Sequence, residues 1–142
     1  MKKVSLLIPA YNEQESLPLL YQKIIEVTDT LPQYEWEFMF VNDGSKDNTL
    51  NILRQLRSTD RRVNYIDLAR NFGKEVAMLA GFDHVTGDCM IIMDADLQHP
   101  PTVIPDFLAK WEEGYEDVYA IRKTRGEESW LRKQFSLLFY KI

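Results

Sequence analysis

The sequence contains a single cysteine, Cys89, among its 142 residues. One cysteine excludes an intramolecular disulfide framework and a zinc site built from several thiolates, and it is typical of a protein in a reducing compartment. No run of about 18 apolar residues is present, so the sequence predicts no transmembrane helix. Repeats, linkers and low-complexity segments are also lacking, which favours a single domain over residues 1–142.

The sequence also has no excess of basic residues over acidic ones. The formal net charge is −5, which argues against a nucleic-acid-binding protein that works by overall electrostatic attraction. The charge is uneven, because residues 121–142 contain six basic and two acidic side chains. This basic end suggests an anionic partner, either a phosphate group or a membrane surface, although a solvated helix face is the simpler explanation.

Short apolar segments alternate with amphipathic ones along the chain. The predicted strands are 4–8, 35–41, 63–68, 89–93 and 118–121, and the predicted helices are 13–28, 46–58, 75–85, 101–114 and 129–142. Such alternation over short connections predicts an α/β fold, with a mostly parallel sheet covered by helices on both faces. The last predicted helix is apolar nearly all round, so we expect the domain to continue beyond Ile142.

Polar side chains follow every predicted strand. In sheets of this kind, ligands bind outside the carboxyl ends of the strands. The residues at these positions are Tyr11, Asn12, Glu13, Asp43, Arg70, Lys74, Asp94, Asp96, Gln98, Arg122 and Arg125. Because all five strands contribute, the sequence predicts one polar site at a single edge of the sheet.

The segment after the fourth strand carries the strongest chemical signal. Asp94 and Asp96 stand one residue apart at the exit of a buried strand, where carboxylates need a cation or hydrogen-bond donors. Oxygen ligands suit Mg²⁺ or Mn²⁺, and Gln98 would add a neutral oxygen. We expect the two aspartates to point opposite ways, so that one binds the ion while the other orients a nucleotide. A helix cap would explain one carboxylate but not the second.

Three residues near the first two strands can contact a nucleoside. Asp43 can accept a hydrogen bond from a base, although a turn residue before a glycine is an equally good explanation. Tyr11 can stack or pack against a base, and Glu13 can bind a ribose hydroxyl. Taken singly, Tyr11 and Glu13 would more often be surface or capping groups.

Basic residues supply candidates for phosphate binding. Arg70 and Lys74 can neutralise a diphosphate. Arg122, Arg125 and Arg132 can form a second anion site, since a guanidinium binds phosphate through two parallel hydrogen bonds. Each of them also fits an ordinary surface cation.

Four motifs occur in order along the chain. They are Pro9-Ala10-Tyr11-Asn12-Glu13, Val41-Asn42-Asp43-Gly44-Ser45, Arg70-Asn71-Phe72-Gly73-Lys74 and Asp94-Ala95-Asp96-Leu97-Gln98. Together they resemble the family 2 glycosyltransferases of the GT-A fold. Within that family they are most similar to the polyprenyl-phosphate sugar transferases, which include dolichol-phosphate mannose synthase and the bactoprenol glucosyltransferases. The resemblance covers essentially the whole chain.

The resemblance implies a role for most of the candidate residues. Those expected to hold the nucleoside are Pro9, Ala10, Tyr11, Glu13 and Asp43. Asp94 and Ala95 would lie along the sugar nucleotide, and Asp96 and Gln98 would bind Mg²⁺ or Mn²⁺. Arg122 would reach the donor diphosphate or the acceptor phosphate, with Arg125 and Arg132 as weaker acceptor-phosphate candidates.

The implied activity is a metal-dependent hexosyl transfer with inversion, from a nucleoside-diphosphate sugar such as UDP-glucose or GDP-mannose to a polyprenyl phosphate. Family members are usually about twice as long, which implies that residues 1–142 form an incomplete catalytic domain. The expected location is the cytoplasmic face of the cell membrane, with the membrane contacted through the basic C-terminal helix or a later segment. Homo-oligomer formation is left open.

Other functions fit parts of the sequence. Transfer to a sugar hydroxyl of a cell-surface polysaccharide would require a base carboxylate, for which the sequence offers no convincing candidate. A non-enzymatic receiver-like signalling domain would need an acidic pair after the first strand, where this chain has Pro9, Ala10 and Tyr11. A nucleotidyltransferase would usually have a glycine-rich basic loop there.

Overall fold

The computed structural model describes residues 1–96 and 100–114, and the backbone of three further strands between residues 120 and 141. The strands are β1 (Lys2–Ala10), β2 (Tyr34–Asn42), β3 (Val63–Asp67), β4 (Cys89–Ile92), β5 (Ala120–Lys123), β6 (Trp130–Phe135) and β7 (Phe139–Lys141). The helices are α1 (Leu17–Thr28), α2 (Thr49–Thr59), α3 (Lys74–Phe82) and α4 (Ile104–Glu112), the last preceded by a 3-10 turn at Pro101–Val103.

The main sheet has the strand order β3-β2-β1-β4-β7. Its first four strands are parallel, with Leu6 of β1 opposite Phe38 of β2 on one side and Ile91 of β4 on the other. The predicted α/β class with a mostly parallel sheet is therefore confirmed. The strand order reverses at β1, because the chain passes from β1 to β2 on one side and later returns to β4 on the other.

Alternation along the strands divides the core into two layers. Leu6 and Ile8 of β1 point into a layer covered by α1, α2 and α4, whereas Leu7 points into a second layer with Ala77 of α3. Both faces of β1 are therefore buried, which explains why its residues 6–10 are all apolar and do not alternate with polar ones. The predicted coverage of both faces is correct for the described residues.

Helix α1 begins later than the periodicity predicts. We expected a helix from Glu13, but residues 14–16 form a turn and the helix begins at Leu17, with Pro18 in its first turn. Proline fits there because the first amides of a helix have no partner inside the helix. The polar residues 12–14 are thereby left in a loop that contacts residues 45–49, where the chain passes from β2 into α2.

Two predictions about the C-terminal segment are wrong. The segment 129–142 was expected to be one basic, apolar helix, but it contains the strands β6 and β7. Its aromatic residues favour strands, and an apolar run of this length does not distinguish the two states. The fifth strand was expected in the parallel sheet, yet β5 pairs with β6 in a separate antiparallel pair, while β7 pairs antiparallel with β4.

The expected membrane contact through a basic C-terminal helix loses its structural basis, since the backbone there forms strands. None of the helices in the described part of the chain has the length and apolar character needed to cross a bilayer.

Candidate functional site

A cavity of about 310 Å³ lies at the carboxyl edge of the sheet, where β1 meets β4. It is lined by Pro9, Ala10, Tyr11, Glu13, Asp43, Lys74, Asp94, Ala95 and Asp96. All nine residues are among those selected from the sequence. The cavity lies at the reversal of strand order, which is where open α/β sheets bind ligands, and its volume is in the usual range for small-molecule sites.

Asp43 is buried beside the cavity and fixes the loop after β3. One of its carboxylate oxygens accepts a hydrogen bond from the amide of Phe72 at 2.8 Å, and the other accepts one from Gly73 at 3.1 Å. Each oxygen keeps a second lone pair, so Asp43 can still accept a hydrogen bond from a ligand. Asp43 both precedes the glycine of a turn and lines the cavity. A structural role in the turn is therefore compatible with a role in binding a ligand.

Gly44 allows this loop to come close. Its φ is +69°, a conformation that side chains disfavour. A Cβ there would overlap the backbone of Arg70 and Asn71. The Asn71 side-chain amide also donates to the carbonyl oxygen of Asp43 at 3.2 Å. A glycine after Asp43 is therefore required for the end of β2 to touch the loop after β3.

Lys74 begins α3 and reaches across the cavity to Asp94. Its Nζ lies 2.5 Å from Oδ1 of Asp94. Arg70 does not line the cavity; its guanidinium lies 4.4 Å from the ring centroid of Phe72, in a cation–π contact. Of the two basic residues predicted near the diphosphate, the structure thus brings only Lys74 into the cavity.

The carboxylates of Asp94 and Asp96 line the same cavity. We expected the two side chains to point opposite ways, but both residues line the cavity. The expectation was wrong because residues i and i+2 of an extended segment face the same side. Here β4 ends at Ile92 and the chain turns at residues 95–96, so both carboxylates belong to the loop after the strand, where one ligand can contact them.

Ser16 joins the turn before α1 to this carboxylate motif. Its hydroxyl lies 2.5 Å from Oε2 of Glu13 and 2.8 Å from the carbonyl oxygen of Ala95. A hydroxyl has one proton to donate, so it donates to one acceptor at a time. Ser16 was not among the residues selected from the sequence, since nothing in its neighbourhood indicates a partner 79 positions away.

Five hydrogen bonds join residues 12–14 to residues 45–49, an arrangement that we call the loop clasp. The amides of residues 12, 13 and 14 donate to the side chains of Ser45, Thr49 and Asp47. In return, the side chains of Asn12 and Gln14 accept from the amides of residues 46 and 48. Asn12 has a φ of +53°, which asparagine tolerates better than most residues.

Asp47 is the charged member of the loop clasp. Burial would raise the pKa of its carboxyl, but hydrogen bonds from the Thr49 hydroxyl, the Thr49 amide and the Gln14 amide lower the pKa below its usual value. Asp47 also accepts from the amide of Thr49, the first residue of α2, whereas the hydroxyl of Ser45 accepts from the amide of Asn12.

Two carboxylates of the cavity are of the kind that a divalent metal ion binds together with a phosphate-bearing ligand. Asp94 and Asp96 supply carboxylate oxygens, and Asp94 already holds a cationic group, the ammonium of Lys74. Within residues 1–96 and 100–114, no cluster of three or more His, Cys, Asp or Glu side chains is placed to hold a metal. Mg²⁺ typically binds one or two carboxylates and completes its coordination with substrate phosphates and water.

Four predicted site residues cannot be placed at the cavity. Gln98 and Arg125 lie outside the described residues, as do the neighbours of Gln98 at positions 97 and 99. Arg122 lies in β5 and Arg132 in β6, and only the backbone is described there. Their expected roles stay predictions.

Residues 5–141 match a sequence family described as "Glycosyl transferase family 2". The chain is 44% identical over 138 residues to the "Uncharacterized glycosyltransferase YkcC" of Bacillus subtilis, which spans 97% of this chain and 42% of that protein. It is 43% identical over 140 residues to the "Bactoprenol glucosyl transferase" of Shigella phage SfX, covering 99% of this chain and 46% of the relative. The chain thus spans less than half the length of these relatives.

Solved structures with the same fold include nucleotide complexes. S. aureus TarS 1-349 in complex with UDP superposes with a TM-score of 0.67 at 22% identity, over 88% of this chain and 37% of that one. The mannosyltransferase PcManGT from Pyrobaculum calidifontis in complex with GDP-Man and Mn²⁺ gives 0.64 at 20% identity, over 89% and 37%. At these identities the likeness establishes the fold alone.

Proposed function

The chain belongs to glycosyl transferase family 2, and from that premise we propose that its cavity binds a nucleoside-diphosphate sugar whose sugar is passed to a polyprenyl phosphate. One observation carries the proposal: nine residues selected from four separate motifs line a single cavity at the reversal of strand order. The name of the SfX relative, bactoprenol glucosyl transferase, supports a polyprenyl lipid as acceptor and a glucosyl donor, for which we propose UDP-glucose. GDP-mannose is the competing donor.

We assign the nucleoside to the side of the cavity formed by β1 and β2. Tyr11 is 41% exposed, so its ring is accessible for packing against a base. Asp43 is buried and rigidly held, which suits it to accept a hydrogen bond from a base N–H. Glu13 lines the same cavity, where its carboxylate can accept from a ribose hydroxyl. Pro9 and Ala10 supply the wall against which the nucleoside packs.

The diphosphate then lies toward Lys74, Asp94 and Asp96. Asp96 and Asp94, with Gln98, would hold Mg²⁺ or Mn²⁺. Such an ion supplies electrostatic stabilisation of the charge that develops on the departing nucleoside diphosphate. Lys74 adds a second positive charge on the same group. Arg122 is proposed to contact the donor diphosphate or the acceptor phosphate, and Arg125 and Arg132 the acceptor phosphate.

The proposed reaction is a single displacement with inversion at the anomeric carbon. An acceptor phosphate oxygen forms the new bond to that carbon, and the bond to the diphosphate oxygen breaks. A phosphate acceptor is already anionic near neutral pH, so it needs positioning and no strong base. A sugar hydroxyl as acceptor would instead require a base carboxylate.

The direct test is calorimetric titration of the chain with UDP and with GDP, each with and without Mn²⁺. We expect one of the two nucleotides to bind with an affinity that Mn²⁺ increases. Asp96→Ala should reduce the Mn²⁺-dependent part of the affinity at least tenfold, by analogy with the loss of one metal contact, while leaving the unfolding temperature unchanged. Glu26→Ala removes an exposed carboxylate from α1 and serves as the control.

If neither nucleotide shows Mn²⁺-dependent binding, the proposed function is wrong. If Asp96→Ala instead unfolds the chain, the carboxylate is structural and caps the segment that follows.

A further inference from the structure

We propose that Lys74 is a resident counter-ion of Asp94 which transfers to the diphosphate when the donor binds, so that the nucleoside diphosphate and the divalent cation bind cooperatively. The inference rests on the proposed function, because it concerns the affinities of the two ligands for the same cavity. It adds that the exchange of Lys74 between Asp94 and the diphosphate contributes to the coupling between them.

The first observation is the contact itself. Nζ of Lys74 and Oδ1 of Asp94 are 2.5 Å apart, and both side chains line the cavity. The lysine side chain is 48% exposed and the aspartate side chain 23% exposed. The ammonium thus occupies one oxygen of a carboxylate that is among the few candidate metal ligands, while remaining accessible from the open side of the cavity.

The second observation is the position of Lys74 in α3. It is the first residue of the helix, where the positive end of the helix dipole disfavours a cation. The backbone just before it is fixed, because Asp43 accepts hydrogen bonds from the amides of Phe72 and Gly73. The backbone at Lys74 is therefore held in place, whereas its four-carbon side chain is flexible. Such a side chain can move its ammonium group from one anionic partner to another nearby. The unfavourable helix position is compensated by the anionic partner across the cavity.

Competition at Asp94 follows from these contacts. A divalent cation entering alone must share Asp94 with an ammonium group, which repels it, and the described residues offer it few other ligands. A nucleoside diphosphate removes both obstacles, because its oxygens accept the lysine ammonium and also coordinate the metal. Each ligand therefore raises the affinity of the other, and linkage requires the two enhancements to be equal.

The test is a calorimetric cycle on the wild-type chain and Lys74→Met, which removes the charge but keeps an unbranched side chain. Four affinities are measured for each: Mn²⁺ alone, UDP or GDP alone, and each in the presence of the other. In the wild type we expect Mn²⁺ and the nucleotide to tighten each other's binding about 5-fold or more. In Lys74→Met, Mn²⁺ alone should bind more tightly, by up to about 5-fold, as expected for loss of a partly exposed ion pair, and the mutual enhancement should shrink.

Two further variants make the result specific. Lys74→Arg keeps the positive charge and should keep the enhancement, and Lys23→Met removes an exposed lysine of α1 outside the cavity and should behave as wild type. Unchanged Mn²⁺ affinity together with unchanged enhancement in Lys74→Met overturns this inference while leaving the proposed function standing. Failure of the wild type to bind UDP or GDP with Mn²⁺ overturns both.

Discussion

At the scale of single residues, Asp43 shows how one buried carboxylate can organise several distant groups. Its side chain, 4% exposed, holds two successive amides of the loop after β3, and its own carbonyl oxygen accepts from Asn71. The same loop continues into Lys74 and hence to Asp94. Asp43 therefore affects the donor site in two ways, by facing the cavity and by fixing the start of α3.

Replacement of Asp43 by asparagine removes the negative charge and one acceptor oxygen while keeping the size and shape of the side chain. Asparagine has one acceptor oxygen, so one of the two backbone amides must face an NH₂ group. We expect the free energy of unfolding to fall by about 1–3 kcal/mol, the cost of a buried donor without an acceptor, and nucleotide affinity to fall as well. Urea unfolding and calorimetry measure the two effects.

The matched control for this prediction is Asp67→Asn. Asp67 stands at the end of β3 and accepts from the side-chain amide of Asn42 at 2.9 Å, an interaction that an asparagine oxygen can maintain. If Asp67→Asn destabilises the chain as much as Asp43→Asn, the special role given to Asp43 is wrong.

At the scale of elements, the loop clasp sets the relative positions of β1, β2 and the helices that follow them. It joins segments 33 to 36 residues apart, and Ser16 extends the connection to Ala95 beyond β4. The side chains on the cavity therefore come from loops that are hydrogen-bonded to one another. Such preorganisation lowers the cost of ordering loops when a ligand binds.

The loop clasp should weaken in acid. The hydrogen bonds to Asp47 outweigh burial and lower the pKa of its carboxyl in the folded chain, so its contribution to stability is complete above the unfolded-state pKa and is lost as pH falls through the folded-state pKa. Unfolding in urea at a series of pH values from 6 downward should show this loss. Asp47→Asn should be less stable than wild type near neutral pH, and the difference should shrink toward low pH.

Asp83→Asn provides the comparison, since Asp83 is an exposed residue at the C-terminal end of α3. A difference between wild type and Asp47→Asn that stays constant with pH would contradict the prediction, because it would mean that the charge of Asp47 is irrelevant.

Elements also show what could be predicted from the sequence and what could not. Short apolar runs such as Val4–Ile8 identified the four parallel strands. The polar side chains that follow these strands identified the cavity residues, because the carboxyl ends of parallel strands lie at one edge of the sheet. The partners of Ser16 and Asn12 could not be predicted, since hydrogen bonds across 30 to 80 positions depend on the register of β1 with its neighbours. The helix predicted at 129–142 failed because aromatic residues also suit a strand.

At the scale of the whole molecule, β1 and β4 are interior strands of the main sheet, each with a neighbour on both sides. Cys89 lies at the start of β4, fully buried, opposite Val4 of β1 on one side and Lys141 of β7 on the other. Burial, together with the negative charges of Asp88 and Glu112, raises the pKa of the Cys89 thiol to about 12. A thiol that stays protonated and inaccessible is unreactive in the folded chain.

Cys89 should therefore report opening of the whole sheet. We expect labelling by a thiol reagent at neutral pH to be slow in the folded chain and fast in urea. If the proposed function is correct, a saturating nucleoside diphosphate with Mn²⁺ should slow labelling further, since ligands that bind only the folded state reduce the open population. Rapid labelling under native conditions would contradict the buried position of β4.

The loop clasp also has a spectroscopic consequence. The backbone amides of residues 12, 13, 14, 46 and 48 lie in loops at the surface, yet each donates to a side chain of the opposite loop. Their exchange with deuterium should therefore be governed by one shared opening event, and all five should exchange at similar rates. NMR measurement of amide hydrogen–deuterium exchange on the ligand-free chain would show this as five surface amides that exchange together.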